Sequence, residues 1–171
     1  MGKFEVLRIG HRPERDKRIT THVALTSRAF GASKMYLSKK DSRVVKSIDN
    51  VVTKFGGDFS VKVVSNPKKI VKNWEGKIVH LTMFGLPFQD YMEVLRSQRD
   101  NLLFIVGAEK VPPWTFELSD YNLSVGTQPH SEISALAVVL AGFNPSFSDI
   151  DFDGDLKVVP SLDYRQMVSK T

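Results

Sequence analysis

The sequence predicts an α/β fold built on a mostly parallel β-sheet. Short apolar runs alternate along the chain with segments of helical periodicity, which is the pattern of strand–helix–strand units. The run LLFIVG (102–107) is continuously apolar, as expected of a strand buried on both faces of a parallel sheet. A chain of 171 residues also fits one compact domain with a short appendage. We therefore expect ligands to bind beyond the carboxyl ends of the strands.

The predicted strands follow from short runs of apolar and β-branched residues. They are FEVLRI (4–9), MYLS (35–38), FSVKVV (59–64), KIVHLTM (77–83), LLFIVG (102–107) and YNLSV (121–125). Helices are predicted between and after these strands, at 20–30, 41–55, 67–74, 87–98 and 132–140. Gly56-Gly57 ends the second of these helices, whereas Pro67 and Pro87 open the third and fourth.

The last predicted helix, 132–140, is apolar nearly all round. Its apolar residues occupy two faces: Ile133, Leu136, Ala137 and Leu140 on one, and Ala135, Val138 and Val139 on the other. Such a helix must be buried on nearly all sides. It is therefore either a deep core helix or part of a subunit interface, and the sequence favours neither.

The chain beyond Gly142 changes character, since it is acidic and poor in helical patterns. We expect a main domain at 1–142 and a C-terminal extension at 143–171. LKVVP (156–160) is expected to form one arm of a terminal β-hairpin.

Composition excludes several classes of function. Cysteine is absent, which rules out disulfides, thiolate metal sites and a cysteine nucleophile. No run is long and apolar enough for a membrane span, and no secretory signal follows Met1, so we expect a cytoplasmic protein. The histidines lack metal spacing, and the calcium-loop-like segment 149–154 has Pro160 where a bidentate Glu is required, so no metal is expected. Nucleotide-binding glycine motifs are also missing from the sequence.

Positive charge is concentrated at the start of the chain. The formal net charge is +5, and residues 1–18 hold six cations against three acids. A basic segment favours polyanionic partners through contacts with phosphates.

Three sequence blocks together resemble the knotted SPOUT superfamily of methyltransferases. They are LRIGHRPERDKRITTHVALTSRAFGA (7–32), HLTMFGL with IVGAEKVP (80–86 and 105–112), and YNLSVGTQPHSEISALAVVL (121–140). Within that superfamily they are most similar to the archaeal family that methylates the 2′-oxygen of a cytidine, cytidine 56, in the TΨC loop of tRNA. The resemblance implies a C-terminal trefoil knot, a homodimer, tRNA as substrate and S-adenosyl-L-methionine as cofactor.

The resemblance also places three glycine-containing loops on the cofactor. The implied cofactor residues are Leu81, Gly107, Ala108, Glu109, Lys110, Val111, Val125, Gly126, Thr127, Gln128, Pro129, His130, Ser131 and Glu132. Independently of the resemblance, Gly107 allows close approach of the backbone to a ligand, and Ser131 can cap the following helix.

Arginines near the N-terminus are the candidate catalytic residues. Arg12, Arg15 and Arg18 recur every three residues, and guanidinium groups suit phosphate binding and the stabilisation of a developing oxyanion. Related ribose methyltransferases place an Asn six residues before an Arg in this region, but this chain has no Asn between residues 1 and 49. We rank Arg18 first because it lies nearest the predicted start of the first helix, followed by Arg15 and Arg12.

Two alternative functions remain open on the sequence. One is a catalytically silent RNA-binding module with the same fold, which the intact glycine loops disfavour. The other is a nucleotide-dependent enzyme acting on small molecules, which the early arginine cluster disfavours.

Overall fold

The computed structural model describes residues 2–108 and 110–170 and contains a parallel sheet. Within these residues the sheet has six strands in the order β3-β2-β1-β5-β4-β6, and all adjacent pairs are parallel. The strands are β1 (Phe4–Arg8), β2 (Lys34–Leu37), β3 (Ser60–Val63), β4 (Lys77–Pro87), β5 (Leu102–Val106) and β6 (Tyr121–Ser124). The predicted α/β class with a parallel sheet is confirmed.

Helices connect the strands and cover the sheet. They are α1 (Pro13–Ala29), α2 (Ser42–Phe55), α3 (Pro67–Lys72), α4 (Met92–Ser97), α5 (Trp114–Glu117) and α6 (Glu132–Phe143). The sequence did not predict the short α5. The helix expected at 87–98 is divided into a 3-10 turn, Phe88–Tyr91, and α4.

The core lies on both faces of the two central strands. Every residue of β5 is buried, as its continuous apolar run predicted. Phe104 faces α6, where it packs edge-on against Phe143 with 5.7 Å between ring centroids. Its neighbour Ile105 belongs to a second apolar cluster that also holds Leu7 and Val71, because successive strand residues point to opposite faces. Burial on both faces fixes β5 as the centre of the fold.

Helix α1 begins seven residues before its predicted start at Thr20, so that prediction was wrong. Pro13 occupies the first turn, where its missing N–H costs nothing. The Asp16 carboxylate accepts a hydrogen bond from the backbone N–H of Arg12 at 3.0 Å. Acidic residues in the first turn also complement the helix dipole. The charged segment 13–19 is therefore helical although it carries no apolar stripe.

Strand β4 extends four residues beyond its predicted end at Met83. Leu81 and Leu86 both register with Leu123 of β6, so residues 82–85 loop out between two paired parts of one strand. We call residues 82–85 the β4 bulge. The sequence predicted a glycine-containing loop after this strand, whereas in the structure residues 84–87 still belong to β4.

The C-terminal extension forms the expected β-hairpin. Strand β7 (Leu156–Val159) pairs antiparallel with β8 (Gln166–Ser169). An isolated antiparallel bridge joins Asp153 of the extension to Gly56, the residue that follows α2.

Helix α6 is largely a core helix of the single chain. Leu136, Val139 and Leu140 are fully buried against α1 and the sheet. Val138, on its outer face, is 43% exposed. One apolar position on α6 thus remains uncovered in the single chain.

Candidate functional site

A cavity of about 550 Å³ opens at the carboxyl edge of the sheet. It lies among the β4 bulge and the segments that follow β5 and β6, at the edge where parallel sheets bind their ligands. Its volume falls within the roughly 300–1,000 Å³ of small-molecule sites. We call it the carboxyl-edge cavity.

Most of the residues that the sequence assigned to the cofactor line this cavity. They are Leu81, Gly107, Ala108, Lys110, Val111, Val125, Pro129, His130, Ser131 and Glu132. Gly126, Thr127 and Gln128 belong to the same loop but are not among its lining residues. Glu109 lies outside the described residues. The three predicted loops are therefore brought together around one cavity.

Sequence reasoning did not assign several further lining residues to the site. These are His80, Thr82, Met83, Phe84, Phe116, Leu123 and Ala135. The bulge residues could not be recognised because their approach to the cavity depends on the pairing of β4 with β6.

The segment that leads into α1 adjoins the wall of the cavity. Ile9 accepts a backbone hydrogen bond from Ala108 at 3.2 Å, and its own N–H donates to Val106 at 2.9 Å. Gly10 has a φ of +76°, and a Cβ built on it would lie 3.0 Å from the Cβ of Ala108. The chain therefore turns tightly against the Gly107–Val111 loop before α1 begins.

Hydrogen bonds shape the loop between β6 and α6. The Ser131 hydroxyl accepts from the backbone N–H of Ile133, so this residue caps α6 as predicted. His130 donates from Nδ1 to the carbonyl of Gln128 at 2.6 Å, since a carbonyl oxygen can only accept. A Cβ built on Gly126 would meet no atom within 4 Å. The loop is thus fixed at its helix end and open beside Gly126.

A buried ion pair links β1 to the cavity, and sequence reasoning missed it. Nη2 of Arg8 donates to Oε1 of Glu132 at 2.8 Å, and the Arg8 side chain is only 1% exposed. Burial lowers the pKa of the Arg8 guanidinium, while the Glu132 carboxylate opposes that shift. Nε and Nη1 of Arg8 are buried without an acceptor among the described residues. Arg8 therefore holds the cavity residue Glu132 at the start of α6.

The three candidate arginines have different environments. Arg12 forms a two-pronged interaction with Asp16, from Nε to Oδ2 at 3.0 Å and from Nη2 to Oδ1 at 3.2 Å. These hydrogen bonds hold the pKa of the Asp16 carboxyl below its usual value. Arg15 and Arg18 are exposed one turn apart on α1. Because α1 begins at Pro13, Arg12 lies nearest the helix start, and the reason given for ranking Arg18 first was wrong.

A buried histidine network supports the start of α1. His11 is 3% exposed; its Nε2 lies 3.3 Å from Oδ2 of Asp41, and its Nδ1 lies 2.8 Å from the Thr20 hydroxyl. A carboxylate requires a donor, so Nε2 carries the proton and Nδ1 accepts from Thr20. Asp41 also caps α2 by accepting from the N–H of Arg43. The network fastens α1 to α2 beside the basic segment.

His80 and the calcium-loop-like segment 149–154 both make structural contacts. His80 is 1% exposed, its Nδ1 lies 2.8 Å from Oδ1 of Asn122, and its ring packs edge-on against Phe116, so it is a buried histidine with a polar partner. In the calcium-loop-like segment, Asp151 pairs with Lys157 and Asp153 pairs with Lys170.

Neither metal-ligand clusters nor candidate membrane helices were found in the described part of the chain. Residues 2–108 and 110–170 contain no group of three His, Cys, Asp or Glu side chains placed to hold a metal ion. Over the same residues, every helix is too short or too polar to cross a bilayer.

Comparison with known sequences gives one consistent result. A model of the tRNA ribose 2′-O-methyltransferase family matches residues 55–168, which is more than half of the chain. The chain is 51% identical over 166 residues to the tRNA (cytidine(56)-2′-O)-methyltransferase of Archaeoglobus fulgidus. That alignment covers 96% of this chain and 98% of the relative.

Solved structures share the fold at low sequence identity. The SpoU methyltransferase AviRb of Streptomyces viridochromogenes, in complex with AdoMet, aligns with a TM-score of 0.58 and 12% identity. The AdoMet-bound rRNA methyltransferase of Sinorhizobium meliloti aligns with a TM-score of 0.60 and 14% identity. The alignments cover 85% and 84% of this chain but only 57% and 56% of those chains, respectively. Their common fold is that of SPOUT methyltransferases.

Proposed function

Because the chain belongs to the tRNA ribose 2′-O-methyltransferase family, we propose that it methylates a ribose of tRNA with S-adenosyl-L-methionine. The name of the Archaeoglobus relative makes cytidine 56 the target nucleotide of this proposal. The observation that carries it is the carboxyl-edge cavity, whose wall is formed by the three loops that the sequence assigned to the cofactor.

The cavity suits this cofactor in size and in chemistry. Leu81, Val111 and Leu123 give it an apolar wall against which an adenosine can pack. Glu132 contributes a carboxylate that is paired with Arg8 at Oε1, and its second oxygen can accept a hydrogen bond from the ammonium group of the ligand. Gly126 does not line the cavity, but the open space beside it leaves room for a ligand that extends from the cavity to lie close to the loop backbone. When bound, S-adenosylmethionine supplies an electrophilic methyl group.

The protein must then orient the ribose hydroxyl and assist the loss of its proton. The basic start of α1 adjoins the cavity wall through the contact of Gly10 with Ala108. Arg15 and Arg18 expose their side chains on α1 and do not line the cavity, so bound tRNA would have to bring its phosphates and its 2′-oxygen to them. We assign charge stabilisation to Arg18 and phosphate binding to Arg12 and Arg15. This assignment rests on guanidinium chemistry, and the rates of the three alanine variants test it.

We further propose that the active protein is a homodimer. Val138 on α6 and Ile19 on α1 are 43% and 38% exposed, respectively, although both are large apolar residues. Since α1 and α6 pack against each other, a second copy can cover both positions. Because its proposed substrate is tRNA, we expect this dimer to be cytoplasmic. The proposed chemistry involves no metal.

The trefoil knot implied by the family resemblance remains part of the proposal. It rests on family membership, because strand insertion of the kind seen for β5 also occurs in unknotted parallel sheets. We also retain 1–142 as the methyltransferase domain and 143–171 as an extension.

A methyl-transfer assay on unmodified tRNA tests the proposed function. Incubation with labelled S-adenosylmethionine should give one 2′-O-methylated cytidine, which nucleoside mass spectrometry locates at position 56. Binding of tRNA without methyl transfer would instead identify a silent RNA-binding module. Calorimetry should detect S-adenosylmethionine binding and no ATP binding, and the opposite result would favour a nucleotide-dependent enzyme.

A further inference from the structure

The β4 bulge carries an aromatic side chain that the fold leaves in solvent. Phe84 is 81% exposed, although it lines the mouth of the carboxyl-edge cavity. The bulge is closed at its base, because Leu81 and Leu86 both register with Leu123. Phe84 is therefore presented by a short segment that is anchored at both ends.

The residue after Phe84 fixes the bulge against β6. A Cβ built on Gly85 would lie 2.5 Å from the backbone oxygen of Asn122 and 2.6 Å from the backbone nitrogen of Leu123. On the other side, the N–H of Phe84 points to the Thr82 hydroxyl at 3.4 Å. These contacts hold the backbone beside Phe84 and leave its ring free for a partner.

We propose that Phe84 is a stacking platform for the base of the nucleotide that the protein methylates. This inference rests on the proposed function, since it assumes an RNA acceptor at the cavity. Proteins that recognise single-stranded RNA loops stack unpaired bases on aromatic side chains, and every base offers a π-face for this contact. A ring at the mouth of the cavity would hold the base while its ribose faces the methyl donor.

The observations favour an RNA base over two other occupants. The cofactor can be enclosed by the apolar wall of the cavity, whereas four fifths of the Phe84 side chain faces solvent. A second copy of the chain is expected to cover the exposed apolar positions of α1 and α6, and Phe84 lies on neither helix. The chain carries a net charge of +5, and Lys110 lies on the cavity wall, which suits a polyanion.

Substitutions at Phe84 test whether tRNA affinity depends on the aromatic ring or only on an apolar side chain at this position. Phe84→Leu keeps an apolar side chain but removes the π-face, so tRNA binding should weaken about 5- to 150-fold, the usual range for replacing one aromatic side chain that stacks on a base. Phe84→Tyr keeps the ring and should bind nearly as well as the unchanged protein. The matched control is Tyr164→Leu, which removes another exposed aromatic ring, 66% exposed, outside the cavity.

The decisive measurement uses an RNA that lacks the base at the methylated nucleotide. If Phe84 stacks on that base, the penalty of Phe84→Leu should disappear on the abasic RNA. An equal penalty on both RNAs would overturn the proposal, as would a loss of S-adenosylmethionine affinity or of dimer in Phe84→Leu with tRNA affinity unchanged. Failure of the unchanged protein to methylate tRNA would refute the proposed function itself. Direct titration with both RNAs then still decides whether Phe84 contacts a base.

Discussion

Arg8 and Glu132 form a 2.8 Å ion pair that connects the end of β1 to the first turn of α6. The Arg8 side chain is 1% exposed, whereas that of Glu132 is 28% exposed and lines the carboxyl-edge cavity. The pair therefore joins Arg8, a buried structural residue, to Glu132, a residue of the cavity wall. Its two partners should behave differently when either is replaced.

Glu132→Ala should lower the free energy of unfolding by about 3 kcal/mol, because it leaves the buried Arg8 charge without its partner. This loss lies at the lower end of the range for breaking a buried ion pair, because the Glu132 side chain is 28% exposed and partly hydrated. Denaturant unfolding monitored by fluorescence measures this change.

The double variant Arg8→Met/Glu132→Gln serves as the control for that prediction. It removes both charges, so most of the lost stability should return. If the Glu132 carboxylate contacts the cofactor, affinity for S-adenosylmethionine should be weakened in Glu132→Ala and should not recover in the double variant. Equal stability of Glu132→Ala and the unchanged protein would show that the ion pair contributes nothing in solution.

His11 should make the stability of the fold depend on pH below neutrality. Burial holds the pKa of folded His11 below its ordinary value, whereas a histidine in the unfolded chain titrates at about pH 6.5. The unfolded chain therefore binds more protons, and the free energy of unfolding should fall as pH drops from about 6.5 toward the folded pKa. Urea unfolding at pH 7 and pH 5 measures this difference.

Replacement of His11 tests the source of that pH dependence. His11→Gln should lose less stability between pH 7 and pH 5 than the unchanged protein. His80 is also buried with a lowered pKa, so some dependence should remain. His22→Gln, at an exposed position of α1, is the matched control. An undiminished pH effect in His11→Gln would exclude His11 as a contributor.

Two positions on α6 should separate folding from dimer formation. Val138 is 43% exposed, so Val138→Asp should leave the fold intact and yield a monomer that is inactive on tRNA. Leu136 is fully buried within the chain, so Leu136→Asp should unfold the protein by burying an unpaired charge. Sedimentation and circular dichroism distinguish the two outcomes. A dimer retained in Val138→Asp would remove this face of α6 from the interface.

Gly126→Val should abolish S-adenosylmethionine binding and leave the fold intact. Gly126 does not line the cavity, but a Cβ there meets no atom within 4 Å, so the added side chain enters open space beside the loop into which we propose that the bound cofactor extends. Calorimetry on a variant with a native circular dichroism spectrum tests this expectation. Gly107→Val is a useful contrast, because its Cβ would clash with Cγ1 of Val111 and should disturb the loop itself. Unchanged affinity in Gly126→Val would place the cofactor away from this loop.

Local patterns predicted most of the strands because alternation and continuous apolar runs are local signals. The buried β5 illustrates this success, since each residue of LLFIVG that lies in the strand packs in the core. The start of α1 was missed because residues 13–19 are mostly charged, and their helix depends on Pro13 and on the contact between Asp16 and Arg12. Charged residues at an exposed helix start leave no apolar stripe to detect.

Long-range contacts explain the other failures. The β4 bulge requires pairing with β6, which lies about forty residues further along the chain, so Gly85 suggested only a loop and Pro87 the start of a helix. Arg8 is a charged residue within a strand, and its partner Glu132 is 124 positions away. The loops around the cavity were predicted from family resemblance, whereas the ion pair behind them became visible only in the fold.

The three arginines at and just before the start of α1 provide the sharpest test of the chemistry. Arg18→Ala should lower the single-turnover rate of methyl transfer about a hundredfold, as expected from the loss of one donor to a developing oxyanion. Its tRNA affinity should fall only modestly, and its S-adenosylmethionine affinity should hardly change. If Arg15 instead binds phosphate, Arg15→Ala should weaken tRNA binding and reduce the salt dependence by about one unit of slope. Arg12→Ala should do the same and also lower stability slightly, because Arg12 is paired with Asp16.

Lysine variants at the same positions complete the argument. A lysine keeps the charge of a phosphate contact but cannot reproduce a guanidinium fork. Arg15→Lys and Arg12→Lys should therefore recover most activity, whereas Arg18→Lys should stay slow at saturating tRNA. Arg15 is the matched control for Arg18, since both are exposed on α1 only one turn apart. A normal rate in Arg18→Ala would refute its role, and charge stabilisation would then belong to whichever of the other two arginines slows the chemical step.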